Sequence, residues 1–274
     1  MNNRHPATPH AMFRSLLRHR ELLWELVKRD FIGRYKGSVL GVVWSLFNPL
    51  LMLVIYTFVF SVAFKARWGG QGDDSKVTFA IVLFSGIIVH TLFAECINRS
   101  PSLIASHANY VKKVVFPLEI LSWMALLSAM LHFLVSFSVL LAFCLIDGVS
   151  IHAGALLIPV ALFPLVMMIM GLSWMLASLG VYLRDLSQVV GVFVTVCMFL
   201  APIFYPIESL PDSYRGLLAW NPITLPVIQL RNLMLWDKPF QWNDWFMSLV
   251  IGLVVCQVGF WWFQKSRRGF ADVV

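Results

Sequence analysis

Charged residues are scarce in this chain of 274 residues, making up 13% of it, whereas roughly a quarter is typical of a soluble domain. Hydrophobic residues make up 59%, and the mean hydropathy is +0.78. This composition excludes a soluble globular protein and indicates one membrane domain. The net charge of +7 could suit nucleic acid, but the lysines and arginines flank long apolar runs, where they act as topology signals. We therefore expect a membrane partner and no nucleic acid.

Cysteines are also few, and all four fall inside or at the end of apolar stretches, without the spacing of a metal site: Cys96, Cys144, Cys197 and Cys256. They are typical of small buried residues and not of a disulfide framework. The first 38 residues carry eight lysines or arginines and no apolar core with a small-residue exit. We therefore predict no cleavable signal peptide, and the first span serves as the insertion signal.

The motifs of catalysis are missing from the sequence as well. It contains no glycine-rich phosphate loop, no His, Cys or carboxylate cluster with metal spacing, and no nucleophile motif. Its few acidic residues sit mostly at the ends of apolar runs, as Glu95 and Asp147 do, which does not resemble the buried carboxylate relay of an ion-coupled carrier. We expect no catalytic residue, no metal site and no cofactor in this chain. Uphill transport would need its energy from another polypeptide.

Long charge-free stretches are what the sequence does have. There are six, at 39–64, 77–94, 120–146, 151–183, 186–207 and 245–264. The first, of 26 residues, is long enough to cross a hydrocarbon core of about 30 Å as a helix. The pattern predicts an all-α membrane protein with six transmembrane helices. We divide it into an N-terminal segment (1–38), a transmembrane domain (39–264) and a C-terminal tail (265–274).

The distribution of basic residues predicts the orientation of these spans. With the N-terminus inside, the inner segments carry 15 lysines and arginines and the outer segments carry 6. This bias satisfies the positive-inside rule, so both termini are predicted to be cytoplasmic.

The segment before the first span has apolar residues on one helical face and basic residues on another. A helix of this kind, with Trp24 and Phe31 at its apolar edge, is typical of the membrane interface, which we favour. The alternative is a helix that packs on a partner protein, and the two are compatible. Gly33, Gly37 and Gly41 follow at four-residue spacing, which suits either close helix packing or a hinge into the first span. Pro49 should kink that span, because it cannot donate to the carbonyl four residues earlier.

Three connections look more structured than simple links. The inner segment 98–117 has room for a short helix across the membrane plane, and Arg184-Asp185 forms a second inner turn. The outer segment 207–244 is too apolar to lie free in water, and we predict a re-entrant helical pair broken at Pro222 and Pro226. Two histidines within spans, His90 and His132, are predicted to form hydrogen bonds between helices.

Several motifs follow one another along the chain. They are Arg20 to Asp30, Arg34-Tyr35-Lys36-Gly37 to Ser45, Asn48-Pro49, Phe116-Pro117-Leu118-Glu119, Tyr182-Leu183-Arg184-Asp185-Leu186, Ala201-Pro202-Ile203-Phe204-Tyr205-Pro206, Asn221-Pro222 and Arg231. Together, over about residues 15–265, they resemble the permease subunit of type-2 ABC exporters for polysaccharides and polyol phosphates, with the motifs in family order.

The resemblance implies a homodimer with two copies of a separate ATPase, which holds the ATP and Mg²⁺, in the bacterial inner membrane. It implies export of a lipid-linked polysaccharide such as O-antigen, capsule or teichoic acid, and a capsule exporter would also need a periplasmic or outer-membrane partner. The residues expected to contact or couple to the ATPase are Glu25, Arg29, Asn109, Lys112, Lys113, Glu119, Arg184 and Asp185. The channel or gate candidates are Phe199, Phe204, Tyr205, Trp220, Asn221 and Arg231, although the aromatic ones also suit an interfacial belt.

Three alternatives remain open at the level of sequence. A type-2 ABC exporter of a drug or a small lipid would share the architecture, but the Arg34-Tyr35-Lys36 motif favours the glycan branch. A membrane-embedded acyl- or glycosyltransferase would need a catalytic cluster at one membrane face. A secondary carrier would need charges within its spans and an internal repeat.

Overall fold

The computed structural model describes residues 8–59, 76–111, 116–218 and 220–273, and every regular element within these ranges is helical. This confirms the all-α prediction. In chain order the α-helices are α1 (Pro9–Arg18), α2 (Arg20–Gly33), α3 (Trp44–Tyr56), α4 (Lys76–Arg99), α5 (Ala108–Val111), α6 (Ile120–Ile146), α7 (Ile158–Gly180), α8 (Leu186–Leu200), α9 (Asp212–Leu218), α10 (Thr224–Met234), α11 (Trp242–Ser266) and α12 (Phe270–Val273).

Five helical stretches in the described ranges are long and apolar enough to cross a membrane. They are Gly41–Val59, Phe79–Ser102, Ile120–Ile146, Ala153–Gly180 and Trp242–Gly269. Helix α8 is also apolar, but its 15 residues reach only about 22 Å, less than a hydrocarbon core of about 30 Å. Each of the six predicted stretches therefore corresponds to a helix. The number of membrane crossings is five or six, depending on whether the chain also crosses at α8. The end of the first stretch, 60–64, lies outside the described residues.

The most extensive helix pair in the described ranges is α7 with α11, where two backbones touch. A Cβ atom built on Gly259 would collide with the carbonyl oxygen of Gly171, and one built on Gly171 would collide with that of Val255, so both positions require glycine. Next to this contact, the buried Trp174 packs edge-on against Trp123 of α6 and Phe260 of α11, with ring centroids 5.9 and 4.9 Å away. Large aromatic side chains therefore fill the interior between these helices.

The N-terminal segment forms two helices that break at His19, where one helix was predicted. Helix α2 buries Leu23, Leu26 and Val27 and packs along α6. It ends at Gly33, and the chain then turns through Gly37 (φ +87°) and Gly41 (φ +53°), backbone conformations that favour glycine.

In the part of the chain that the structure describes, those three glycines do not pack against another helix. A Cβ atom on Gly33, Gly37 or Gly41 would meet no atom within 4 Å among the described residues. A bend between α2 and α3 therefore explains the spacing better than close helix packing does. Pro49 lies inside α3, which continues to Tyr56.

The polar contacts between helices lie mainly at two ends of the bundle. The terminal end holds α1, α2, the end of α4, the start of α6 and the residues after α11. The α10 end holds the start of α4, the residues after α8, and α10. Val82 and Arg99 of α4 mark the two ends, about 25 Å apart at 1.5 Å per residue.

Segment 207–244 contains the helices α9 and α10, with Pro222 in the break between them. The predicted break at Pro226 is wrong, since Pro226 lies inside α10, and the re-entrant placement of the pair stays a prediction. Helix α10 is largely buried, packing against α4, α7 and the 3-10 turn Ala153–Leu157. Its apolar residues are thus covered by protein, which is the arrangement that a re-entrant segment needs.

Candidate functional site

At the terminal end, Asp30 joins α2 to α4. Its two carboxylate oxygens accept hydrogen bonds from the two terminal nitrogens of Arg99, at 2.6 and 3.0 Å. Arg34, one turn after Asp30, lies 3.5 Å from the same carboxylate. A bidentate pair of this kind holds two helices at one register more firmly than a single-point contact.

Burial of Asp30 by itself would raise its pKa. The hydrogen bond from Arg99 and the positive charges of Arg99 and Arg34 outweigh that effect, and the pKa is lowered from the ordinary value of 3.8. The ionised carboxylate therefore stabilises the fold at neutral pH. Because the folded pKa is the lower one, this stabilisation is lost only as the pH falls through the lowered pKa.

A second carboxylate extends this group of charges to α6. Glu95 forms an ion pair with Arg34, and His132 Nδ1 lies 3.0 Å from its Oε2. The hydroxyl of Tyr35 is 3.2 Å from Nε2 of the same histidine. The prediction that His132 bonds between helices is confirmed, and its partner is 37 residues away in sequence. We call Asp30, Arg34, Glu95, Arg99 and His132 the Asp30 cluster.

A separate group of contacts surrounds Glu119 at the base of α6. One carboxylate oxygen accepts a hydrogen bond from Ser15 of α1 at 2.8 Å, and the other accepts one from Arg267 at 2.7 Å. The backbone carbonyl of Glu119 accepts from the Trp174 indole at 3.2 Å. Glu119 is 8% exposed, so it lies within the protein and joins three helices there.

At the α10 end, Arg231 is 2% exposed and extends from α10 to two other segments. It donates to the carbonyl oxygen of Val82 and the hydroxyl of Ser85 on α4, at 3.0 and 3.2 Å. It also donates to the carbonyl oxygens of Pro202 and Ile203, just after α8. Burying a guanidinium is costly unless its donors are satisfied, so these acceptors fix its position.

Asn221 reaches the same region from the segment before α10. Its side-chain amide donates to the carbonyl oxygen of Cys197 at 2.8 Å, and its side-chain oxygen accepts from the backbone N–H of Ile223 at 3.1 Å. Asn221 and Arg231 together tie 221–231 to the end of α8 and the residues after it. These two gate candidates therefore anchor the same segment, 221–231, although they bind different acceptors.

The aromatic gate candidates are less buried. The ring centroids of Phe199 and Phe204 are 5.8 Å apart, and the hydroxyl of Tyr205 donates to the carbonyl oxygens of Phe199 and Leu200, both at 3.1 Å. These three residues cap the end of α8. Trp220 is 83% exposed. Their part in passage of a substrate stays a prediction.

Most of the predicted ATPase-facing residues lie on the surface of the terminal end. The exposed ones are Glu25, Arg29, Asn109, Arg184 and Asp185. Glu25 pairs with Lys28 at 2.9 Å, and Arg29 donates to the hydroxyl of Tyr110 in segment 98–117, the predicted inner connection. Lys112 and Lys113 lie outside the described residues.

Sequence reasoning missed the partners that complete these sites. Arg99, Arg267 and the acceptors of Arg231 on α4 were not singled out. The available signal for these partners was a charged residue next to an apolar run, such as Glu95. A carboxylate at the end of a membrane span requires a partner.

Comparison with known proteins now adds to this geometry. The sequence profile of the family described as "ABC-2 type transporter" matches residues 21–235. An O-antigen export system permease protein RfbA of Klebsiella pneumoniae is 25% identical over 255 residues, 93% of this chain and 95% of the relative. The RfbA of Myxococcus xanthus is 28% identical over 214 residues, 77% and 79% of the two chains. A polysialic acid transport protein KpsM of Escherichia coli is 21% identical over 199 residues, 72% and 75%.

These matches confirm the resemblance seen in the motifs. The matched region begins in α2, ends just after α10 and includes the Asp30 cluster, Glu119 and Arg231. Because the family profile covers well over half of the 274 residues, the chain belongs to the ABC-2 type transporter family.

Proposed function

We propose that this chain is the membrane-spanning subunit of an ATP-driven exporter that moves a lipid-linked polysaccharide, either O-antigen or capsule, across the bacterial inner membrane. The observation that carries the proposal is the match over 93% of the chain to a permease named for O-antigen export. The relative named for polysialic acid transport extends the substrate class to capsule. Export of a drug or a small lipid by the same type of transporter is the weaker alternative, because the relatives are named for glycans.

In this proposal the chain crosses the membrane six times, with both termini in the cytoplasm. Ser15 near the N-terminus and Arg267 near the C-terminus contact the same Glu119 carboxylate, which favours an even number of crossings. The five long spans and α8 with its following residues make six. The excess of basic residues at the terminal end favours the cytoplasmic side for it. Helices α1 and α2 then lie at the cytoplasmic membrane surface, and α9 and α10 form the re-entrant pair.

The exporter is proposed to be a homodimer with its polymer path between the two copies. Within one chain, Trp174 and Phe260 occupy the space between the spans. A wide path is therefore more readily formed at the surface, where α3 and α8 expose apolar side chains such as Phe47 and Phe193. Phe199, Phe204, Tyr205 and Trp220 would line its outer opening, where Asn221 and Arg231 hold the supporting backbone.

Two copies of a separate ABC ATPase, with their ATP and Mg²⁺, are proposed to bind the terminal end. The exposed residues Glu25, Arg29, Asn109, Arg184 and Asp185, together with Lys112 and Lys113, would form the docking surface. Glu119 would act from within the protein, by joining the inner connection to α6. Closure of the ATPases then shifts packed helices between two discrete arrangements and opens the path. For capsule in double-membraned bacteria, a periplasmic or outer-membrane partner receives the polymer.

The test is co-purification of this chain with the ATPase encoded beside it, followed by ATP hydrolysis in lipid and by surface staining for the glycan in cells. We expect a complex of two permeases and two ATPases, and loss of surface glycan when the permease gene is deleted. If the folded permease bound no ATPase and its deletion left the surface glycan intact, the proposed function would be wrong.

A further inference from the structure

The described part of the C-terminal tail, 265–273, lies against the bundle. Phe270 of α12 is fully buried, with its ring centroid 5.5 Å from that of Phe263 and 6.3 Å from that of Tyr182. The hydroxyl of Tyr182 also donates to the carbonyl oxygen of Ser266 at 3.2 Å. The tail is thus anchored to α11 and to the inner turn that precedes α8.

This anchoring presents Arg267 to the exit of the inner connection. One terminal nitrogen donates to Glu119 Oε2 and the other to the backbone carbonyl oxygen of Phe116, both at 2.7 Å. The charged side chains of the pair are only 14% and 11% exposed. Because the guanidinium is planar and makes two contacts, it fixes both the distance and the orientation of Arg267 relative to Glu119 and Phe116. A lysine ammonium cannot do this.

The segment that Arg267 holds, Phe116–Glu119, includes the end of the inner connection and directly precedes α6. On one side, the ring of Phe116 stacks on Tyr110 at 4.4 Å, and the hydroxyl of Tyr110 accepts from Arg29 of α2. On the other side, Glu119 directly precedes α6 and accepts from Trp174 of α7. A displacement of the inner connection would be passed to the transmembrane helices through Phe116–Glu119. The position of this segment depends on its contacts with Arg267 in the tail.

We propose that Arg267 is a positioning residue for energy coupling: it holds Phe116 and Glu119 in place, so that movement of the ATPase-facing connection is passed to α6 and α7. This inference depends on the proposed function. It assigns the tail a role within the permease instead of a role in ATPase docking. Replacement of Arg267 should therefore lower the amount of export per ATP hydrolysed, while the permease still assembles with the ATPase.

The experiment uses the reconstituted permease–ATPase complex with wild-type, Arg267→Ala, Arg267→Lys and Lys265→Ala permeases. Lys265 is the matched control, because it is a basic residue two positions away whose ammonium lies 4.9 Å from the Trp261 ring centroid. Complex yield, kcat and KM for ATP, and export per ATP hydrolysed are measured. We expect Arg267→Ala to reduce export per ATP about tenfold with an unchanged KM for ATP, Arg267→Lys to lie between it and wild type, and Lys265→Ala to match wild type.

Each outcome decides the inference. Wild-type export per ATP in Arg267→Ala would overturn it. If that variant does not fold, Arg267→Lys decides: a folded lysine variant with reduced export per ATP supports the inference, and one with wild-type export overturns it. A raised KM for ATP or loss of the complex would assign Arg267 to docking and also overturn it. Failure of the wild-type permease to bind the ATPase would contradict the proposed function instead, so the two failures are distinguishable.

Discussion

Replacement of Arg231 by methionine tests the anchor at the α10 end most directly. Methionine keeps an unbranched stem but removes every donor. The carbonyl oxygens of Pro202 and Ile203 then lose the guanidinium, while that of Val82 keeps the hydroxyl of Ser85 as a donor.

The magnitude follows from the two carbonyl groups that lose their partner. A buried acceptor left without a hydrogen bond costs about 1–3 kcal/mol, so the variant should lose about 2–6 kcal/mol. At about 2 °C per kcal/mol for a chain of this size, Tm should fall by about 4–12 °C.

Thermal unfolding of the purified permease in detergent is the assay, with Met234→Leu as the matched control. Met234 is a fully buried neighbour on α10, and a volume-conserving apolar exchange costs less than about 1.5 kcal/mol. Arg231→Lys should lie between the methionine variant and wild type, because it keeps the charge but not the planar fork. Equal Tm values for Arg231→Met and Met234→Leu would refute the reasoning.

Three further predictions concern the other contacts. Asp30→Asn should cost about 2 kcal/mol and expose α2 to protease, because Arg99 loses its carboxylate; the double variant with Arg99→Met should be less destabilised, and a larger loss in the double variant would contradict this. Gly259→Val should abolish a monodisperse gel-filtration peak, because its side chain meets the backbone of Gly171, whereas normal elution would show that α7 and α11 can separate. Trp220→Ala should leave Tm within about 1 °C and reduce export; unchanged export would assign Trp220 to an interfacial belt.

The individual helices could largely be predicted from the sequence. Each of the six charge-free stretches corresponds to a helix, because a span is recognised by its own length and apolarity, without knowledge of any neighbour. Helical structure in 207–244 was predicted because this segment is too apolar to lie free in water, and its re-entrant placement stays a prediction. The prediction of a single N-terminal helix was wrong in detail, because α1 and α2 are separated at His19. No glycine or proline near His19 indicated this break.

By itself, the sequence determined the class of molecule: an all-helical membrane chain, its helices, its charge bias and its family. Only the tertiary structure decided which polar side chains meet. Asp30 and Arg99 are 69 residues apart, Glu119 and Arg267 are 148, and Val82 and Arg231 are 149. The physical reason is that hydropathy reports how each segment interacts with lipid. The rotation and register of one helix against another depend on packing contacts such as that of Gly171 with Gly259, which no single segment contains.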